Sequence, residues 1–539
     1  MTAIPSPETC DVVIVGAGFA GLYMLHRLRK AGKSVVVLER ADDVGGTWYW
    51  NRYPGARCDV ESLQYSYSFP EAAETGWRWS ERFSGQPEIL AYARHIADRL
   101  DLRRDIRFER RVTRARFDET LGIWRVETEQ GDRIEARFCV MATGNLSEPT
   151  LPDIPGLGDF KGAIYHTGAW PREEPDLAGK RVGVIGTGSS GIQAIPELAR
   201  RAGQVLVFQR TPNFSVPARN RPLTDADYTA FARRYPDRRA VARRTFSGTI
   251  LPRSLGLNAV DISRADADAE FALRWGWEKG GGASFLNAFD DLMVSHASNA
   301  IAADFVRDRI HETVKDPEVA KALCPQGYPI GAKRLACDTG YYETFNADNV
   351  TLVNLKRTPL EQVTETGVQT TQTTYPLDAL IFATGFDAGT GAIQRIDVQG
   401  QDGQRLRDLW AEAPNSYLGL MVSGFPNLFT ITGPGCPAIL TNLLVSIEYH
   451  VEWIARCITD LESAGYTVIE ATPQAQAAWT REVAKTVEGT LFPEADSWYM
   501  GANIPGKPRI FMAYAGGVPE YERRCEEIVR DGYTGFERR

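Results

Sequence analysis

Two stretches of the chain follow one hydrophobic plan. Residues 11–40 open on the apolar run Val12-Val13-Ile14-Val15, pass through GAGFAG, continue with Leu22, Leu25 and Leu28 at helical spacing, and end in Val35-Val36-Val37-Leu38. Unbroken apolar runs of strand length beside a glycine turn mark strands buried on both faces, so the pattern predicts a parallel strand–helix–strand unit. Residues 181–210 repeat it with Arg181-Val182-Gly183-Val184-Ile185, GTGSSG, a helix through Leu198, and Val205-Leu206-Val207-Phe208. Two dinucleotide folds are implied.

Between them the pattern predicts an amphipathic helix near Pro87–Leu100, short alternating segments such as Ile123-Trp124-Arg125-Val126, and a turn-rich connection over Ser147–Pro155. From about Thr224 to Leu323 the chain turns helical and charged, with no further strand–glycine–helix signal. The apolar run Ala379-Leu380-Ile381-Phe382 then resumes a buried-strand pattern. The reading is an α/β protein with two Rossmann-like dinucleotide-binding domains and a helical insertion. Residues 1–145 and 380–539 form the first, 146–223 and 324–379 the second, and 224–323 the insertion.

The length of 539 residues agrees with roughly three domains. Hydrophobic residues at 43% and charged residues at 24% suit a globular chain, and the net charge of −8 argues against nucleic acid as a partner. Eight cysteines without a C-x-x-C pair exclude a redox dithiol and zinc spacing, and fit reduced thiols in the cytoplasm. The six histidines have no metal-ligand spacing either, so no metal site is expected. Met1 to Pro5 lacks a basic n-region, so no signal peptide is read, and Ala438–Ile447 is too short and too polar to span a membrane. Nothing here fixes an oligomeric state.

In GAGFAG, Gly16 allows the tight turn, Gly18 a close approach to a pyrophosphate, and Gly21 close helix–sheet packing. Glu39, about 20 residues on, places a carboxylate where ribose hydroxyls are bound, which selects FAD. In GTGSSG the glycines are Gly186, Gly188 and Gly191, but the second strand ends in Gln209-Arg210-Thr211. A guanidinium in place of the acid suits a 2′-phosphate, so this site reads as one for NADPH.

Phe160-Lys161-Gly162-Ala163-Ile164-Tyr165-His166-Thr167-Gly168-Ala169-Trp170-Pro171 matches the F-x-G-x-x-x-H-x-x-x-W-P fingerprint of type I Baeyer–Villiger monooxygenases, and sits just before the second glycine motif. The chain resembles the phenylacetone and cyclohexanone monooxygenase group in length and motif order. GGTWYWNRYPGARCD at 45–59, with Thr47 and Trp48, Lys333-Arg334, ATGF at 383–386 and SWYMGANIPGKPR at 497–509 extend the likeness over nearly the whole chain. The resemblance implies that Arg334 is the active-site arginine, with Asp59 as its carboxylate partner. It places Lys333 with Arg210 and Thr211 around the 2′-phosphate, makes Thr187 and Gln193 further NADP contacts, and gives Trp498 a cofactor contact on loop closure. GPGCPAILTN at 433–442 resembles a substrate-pocket segment, with Cys436, Ala438, Ile439 and Leu440.

The implied reaction converts a small ketone, O2 and NADPH to an ester or lactone through a C4a-peroxyflavin, with a permanently cationic Arg334 stabilising developing negative charge. Arg334 cannot readily lose its proton. His166 stands in a loop-like stretch and reads as structural, as does Trp170. A flavin-containing or N-hydroxylating monooxygenase is the nearest rival enzyme, and a catalytically silent NADP sensor the rival of another class.

Overall fold

A computed structural model describes residues 7–235 and 237–539, so the Met1–Pro5 reading lies outside the described residues. The first predicted unit forms as strand Glu8–Val15, helix Phe19–Lys30 and strand Val35–Leu38. Val12 to Val15 pair in parallel with Val35 to Leu38 on one side and with Phe138 to Met141 on the other. Alternation divides the strands between two cores. Val12, Ile14, Val35, Val37, Phe138 and Val140 enter one, while Val13, Val15, Val36, Leu38, Cys139 and Met141 enter the other. That is why the runs carry no polar residue at either parity.

The second sheet runs Val350–Asn354, Gln204–Gln209, Arg181–Ile185, Ala379–Phe382, Ala163–His166, all parallel. It too is buried on both faces. Val182, Val184, Val205 and Val207 pack into one core, which they share with the Phe271, Phe285 and Phe305 rings of the helical segment. Ile185, Leu206, Phe208, Leu380 and Phe382 pack into another, which includes Val363 and Val368 of the small antiparallel sheet 360–376 and Phe160.

One boundary moves. The strand Ala379–Phe382, expected to return the chain to the first domain, inserts between Arg181–Ile185 and Ala163–His166 in the second sheet. A buried parallel-strand pattern specifies burial on two faces and says nothing about which sheet supplies the neighbours. The first sheet instead regains chain at Asp397–Gln399 and Leu428–Thr430. Residues 224–323 hold helices, including Asp225–Arg234, Arg264–Trp275 and His296–Thr313, and no strand among the described residues. No described helix is long and apolar enough to cross a membrane.

Candidate active site

In both glycine loops the first and last glycines leave no room for a side chain. Gly16 has φ +106°, and a Cβ there would stand 2.6 Å from the Ala142 carbonyl oxygen; one on Gly21 would stand 1.8 Å from the Gly16 oxygen. In the second loop Gly186 has φ +110°, and a Cβ on Gly191 would approach the Gly186 oxygen to 2.3 Å. A Cβ on Gly188 would meet no protein atom within 4 Å. Helices Phe19–Lys30 and Ser189–Arg201 start directly after the loops, so their first N–H groups face outward from the turn, as an anionic pyrophosphate requires.

Glu39 is buried, and its two oxygens accept N–H bonds from Ala17 at 2.7 Å and Ala41 at 2.8 Å. It thus fastens the end of the second strand to the glycine loop, with lone pairs left on both oxygens for a ribose. Burial pushes its carboxyl pKa up, against the pull of those two amides. The short helix Thr47–Trp50 lies against the same loop: a Cβ on Gly46 would come within 2.9 Å of Gly18 Cα. Trp48 donates its indole N–H to the Tyr65 hydroxyl at 3.0 Å.

Asp59 and Arg334, 275 residues apart, meet in a two-pronged bond: Arg334 Nε donates to Asp59 Oδ2 at 2.7 Å and Nη2 to Oδ1 at 2.8 Å. The third nitrogen, Nη1, donates to the Ile439 carbonyl at 3.1 Å. Burial alone would raise the Asp59 pKa, but the adjoining guanidinium holds it below the ordinary carboxylate value. Asp59 in turn raises Arg334 well above the ordinary arginine value. Both groups stay charged, and 30% and 26% of the Arg334 and Asp59 side-chain surfaces remain accessible, so the cation is fixed but reachable.

Tyr499 was not legible as a neighbour of this pair. It is 4% exposed, packs with Trp498, Ile439 and Leu440, and adjoins the guanidinium, which pulls its phenol pKa down against the larger rise caused by burial. Cys436 and Ala438 are buried, whereas Ile439 and Leu440 keep partial exposure beside Trp498. Burial pushes the Cys436 thiol up to about 12, which leaves it an inert packing group. The 497–509 segment is tied back by Asn503, which donates to the Phe386 carbonyl at 2.8 Å, and by Lys507, bonded to Asp387 at 2.7 Å.

At the second loop the Thr187 hydroxyl donates to the Thr211 carbonyl at 3.0 Å. Arg210 is exposed at the strand end. Lys333 lies over the Tyr328 ring at 4.6 Å, and the Tyr328 hydroxyl donates to the Pro212 carbonyl at 2.8 Å, which holds Lys333 beside the turn that follows Arg210. Gln193 is turned toward the first fold. It accepts from the Tyr53 hydroxyl at 2.8 Å and donates to the Arg57 carbonyl at 3.0 Å, so it latches the second helix to the 45–59 segment.

The fingerprint stretch is a brace. His166 Nδ1 accepts the Gly168 N–H at 2.9 Å. The Thr384 hydroxyl donates to the Thr150 carbonyl at 2.6 Å and lies 3.3 Å from His166 Nε2, a pattern satisfied by a neutral ring protonated at Nε2. Burial lowers the His166 pKa to about 4. Trp170 is buried against Tyr165, with ring centroids 5.4 Å apart, and leads into Pro171; a Cβ on Gly162 would strike the Asp378 carbonyl oxygen at 2.6 Å. His166 therefore sits in a structural hydrogen-bond chain with Gly168 and Thr384. Among the described residues no group of His, Cys, Asp and Glu could hold a metal ion.

A family model described as pyridine nucleotide-disulphide oxidoreductase matches residues 13–225. That span contains both glycine loops, and all eight cysteines are free, so the likeness is to the nucleotide folds and not to a dithiol. A Baeyer–Villiger monooxygenase from Pseudooceanicola batsensis is 41% identical, the alignment covering 98% of this chain and 96% of that one. The chain belongs to the Baeyer–Villiger monooxygenase family. Among solved structures, an oxidized steroid monooxygenase bound to NADP matches this family member with TM-score 0.93 and 47% identity over 98% of this chain and 99% of that one. OTEMO in complex with FAD and NADP matches with TM-score 0.94 and 40% identity over 99% and 100% of the two chains.

Proposed function

We propose that this protein is an FAD- and NADPH-dependent Baeyer–Villiger monooxygenase: ketone, O2, NADPH and a proton give an ester or lactone, water and NADP+. The observation that carries this reading is the Asp59–Arg334 pair, a fixed and accessible cation between two nucleotide folds. FAD held there would supply the redox chemistry that links NADPH to oxygen. The first glycine loop, Glu39, Thr47 and Trp48 fit FAD because the loop excludes side chains where a pyrophosphate must approach, and Glu39 offers lone pairs to a ribose. The second loop, Thr187, Arg210, Thr211 and Lys333 fit NADP, while Gln193 positions that helix against the first fold.

Arg334 stabilises negative charge on oxygen as it develops at the reacting carbonyl, and Asp59 aims the guanidinium and keeps it from turning away. Ile439, Leu440, Tyr499 and Trp498 form an apolar cluster beside this cation, which leaves one side of it reachable. The FAD unit is built on the first sheet and the NADP unit on the second, which retains Ala379–Phe382. Eight reduced cysteines support a cytoplasmic setting.

Product analysis tests the reading. Purified protein incubated with NADPH, oxygen and a panel of linear, cyclic and aromatic ketones is expected to give products heavier by one oxygen and identified as esters or lactones. Oxidation of NADPH to hydrogen peroxide alone across the panel, or oxygenation confined to amines, would overturn it. Arg210→Ala is expected to weaken NADPH binding by about 1.5–3 kcal/mol through loss of a charge-assisted contact and to leave NADH use unchanged. Equal losses for the two coenzymes would make Arg210 a structural residue.

A further inference from the structure

We propose that Arg239 and Glu448 are a positioning pair: they anchor the segment 238–250, and through it keep the Ile439 carbonyl, and so the aim of Arg334, in place. Their role presupposes the oxygenating function of Arg334. Residues 244–250 belong to no helix or strand. Two of them are nevertheless stitched to the surroundings of the site. The Asn442 N–H donates to the Ser247 carbonyl at 2.8 Å. The Ile250 N–H donates to Gln64 Oε1 at 2.6 Å, and Gln64 Nε2 donates back to the Ile250 carbonyl at 3.0 Å. Asn442 Nδ2 donates to the Gln64 backbone carbonyl at 3.0 Å, which closes the circuit. Asn442 caps helix Leu443–Ser463 and stands three positions after Ile439, whose carbonyl accepts from Arg334. Gln64 stands five positions after Asp59.

Apolar burial fastens this segment only weakly. Ala242, with Ile250 at the edge, meets Val445 and Val518, while Phe246 is 58% exposed. Polar anchors are stronger. Arg239 Nε stands 2.8 Å from Glu448 Oε2 and 2.9 Å from the Ser68 hydroxyl, and Nη2 donates to the Ser66 carbonyl at 2.8 Å. Arg238 donates to the Leu63 and Tyr67 carbonyls. Glu448 is 1% exposed, although Leu444, Val445 and Val451, one turn away on the same helix, are buried apolar residues. Its carboxylate accepts the Ser68 N–H and the Ser68 hydroxyl, each at 2.6 Å. A carboxylate taken this far from water gains little net stability over a well-packed apolar residue, even when it is paired. What it supplies is direction, because an apolar surface would accept the segment at several offsets and this oxygen accepts one guanidinium at one place. The pair thus ties together the chain that leads from Asp59 to Ser68, the segment 238–250, and the helix capped by Asn442. Arg334 bonds the first of these at Asp59 and the approach to the last at Ile439.

Hydrogen exchange and product analysis on the FAD-loaded protein test this. Removing one partner can strand a buried charge, so the main variant is the double one, Arg239→Met with Glu448→Gln, which roughly keeps both volumes and an acceptor for Ser68. It is expected to hold flavin and to melt close to the parent, while amide exchange across 238–250 accelerates by about tenfold or more and exchange in Val12–Val15 stays as it was. Ester formed per NADPH consumed is expected to fall by about three- to tenfold, the remainder ending as hydrogen peroxide, with the KM for ketone little changed. Arg239→Lys, which keeps a cation on Glu448, is expected to recover most of that yield, whereas a general packing defect would lower melting temperature and flavin content together and would not be rescued. If the double variant fails to hold flavin, Glu448→Gln alone, which leaves Arg239 free to turn to water, is expected to show the same two effects. Parent-like exchange across 238–250 overturns the pair as an anchor, and faster exchange with parent-like ester yield overturns its connection to Arg334. A parent protein that forms no ester from any ketone defeats the oxygenating function itself, and the positioning role with it, whatever the exchange rates are.

Discussion

Arg334→Ala is expected to fold, to bind FAD, and to form ester at least about a hundredfold more slowly than the parent, the usual loss when a preorganised donor to a developing oxyanion is removed. FAD retention follows from geometry, because the residues that shape the flavin loop, Gly16, Gly21 and Glu39, make no contact with this guanidinium. NADPH oxidation that survives is expected to end in hydrogen peroxide. The neighbour responds as well: without the guanidinium, burial drives the Asp59 carboxyl above its ordinary value, so the variant also loses a nearby fixed anion. Arg334→Lys keeps a charge but cannot reproduce the two-pronged bond at 2.7 and 2.8 Å, so a partial loss is expected. Product yield against NADPH consumed, on protein shown to hold stoichiometric flavin, measures the effect. Parent-like ester formation in such a preparation would remove Arg334 from the chemistry.

Gly21→Ala is expected to have a larger effect on the protein and none that is specific to chemistry. Its Cβ would sit 1.8 Å from the Gly16 backbone oxygen, a contact that only movement of the main chain can relieve. Overpacking of this kind costs at least about 1–3 kcal/mol where side chains yield, and here the opposing atom is backbone. The variant is expected to emerge insoluble or colourless. Gly188→Ala supplies the contrast, since its Cβ meets no protein atom within 4 Å and its φ is negative. That protein is expected to be yellow and stable yet to bind NADP+ poorly, as the added methyl occupies the approach to the pyrophosphate. Flavin absorbance and melting temperature report the first loss, and coenzyme titration the second. A stable, yellow Gly21→Ala protein would show that the loop tolerates what its geometry forbids.

The parts of this molecule that were legible from sequence are those in which local pattern and global role coincide. Val12-Val13-Ile14-Val15 declares a doubly buried strand because neither parity of its side chains meets water. Gly16 and Gly186 declare their turns because φ near +110° excludes ordinary residues. Ala379–Phe382 declared its burial but not its sheet, since parallel strands look alike wherever they pair. At the site, motif likeness brought Asp59 and Arg334 onto one short list, and the fold put them in contact. The Ile439 carbonyl and the Tyr499 phenol were invisible, because a carbonyl has no sequence identity and an aromatic residue in a cluster reads as packing. Gln193 was expected as a coenzyme contact, and the fold adds a role that the motif did not suggest, since its amide also bonds Tyr53 and Arg57. A polar side chain at a helix start faces several candidate partners, and only the tertiary arrangement chooses among them.

The three bonds of the Arg334 side chain have a consequence for timing. Its backbone stands just before Ala336–Asp338, which pairs with Ser215–Pro217 of the second fold, while its head group is held by Asp59 from the first segment and by the Ile439 carbonyl from the C-terminal portion. A single guanidinium therefore acts as a coincidence detector: it is aimed only when three distant stretches of chain arrive together. A displacement of any one of these stretches would break at least one of the three bonds, so the aim of the cation depends on the alignment of all three.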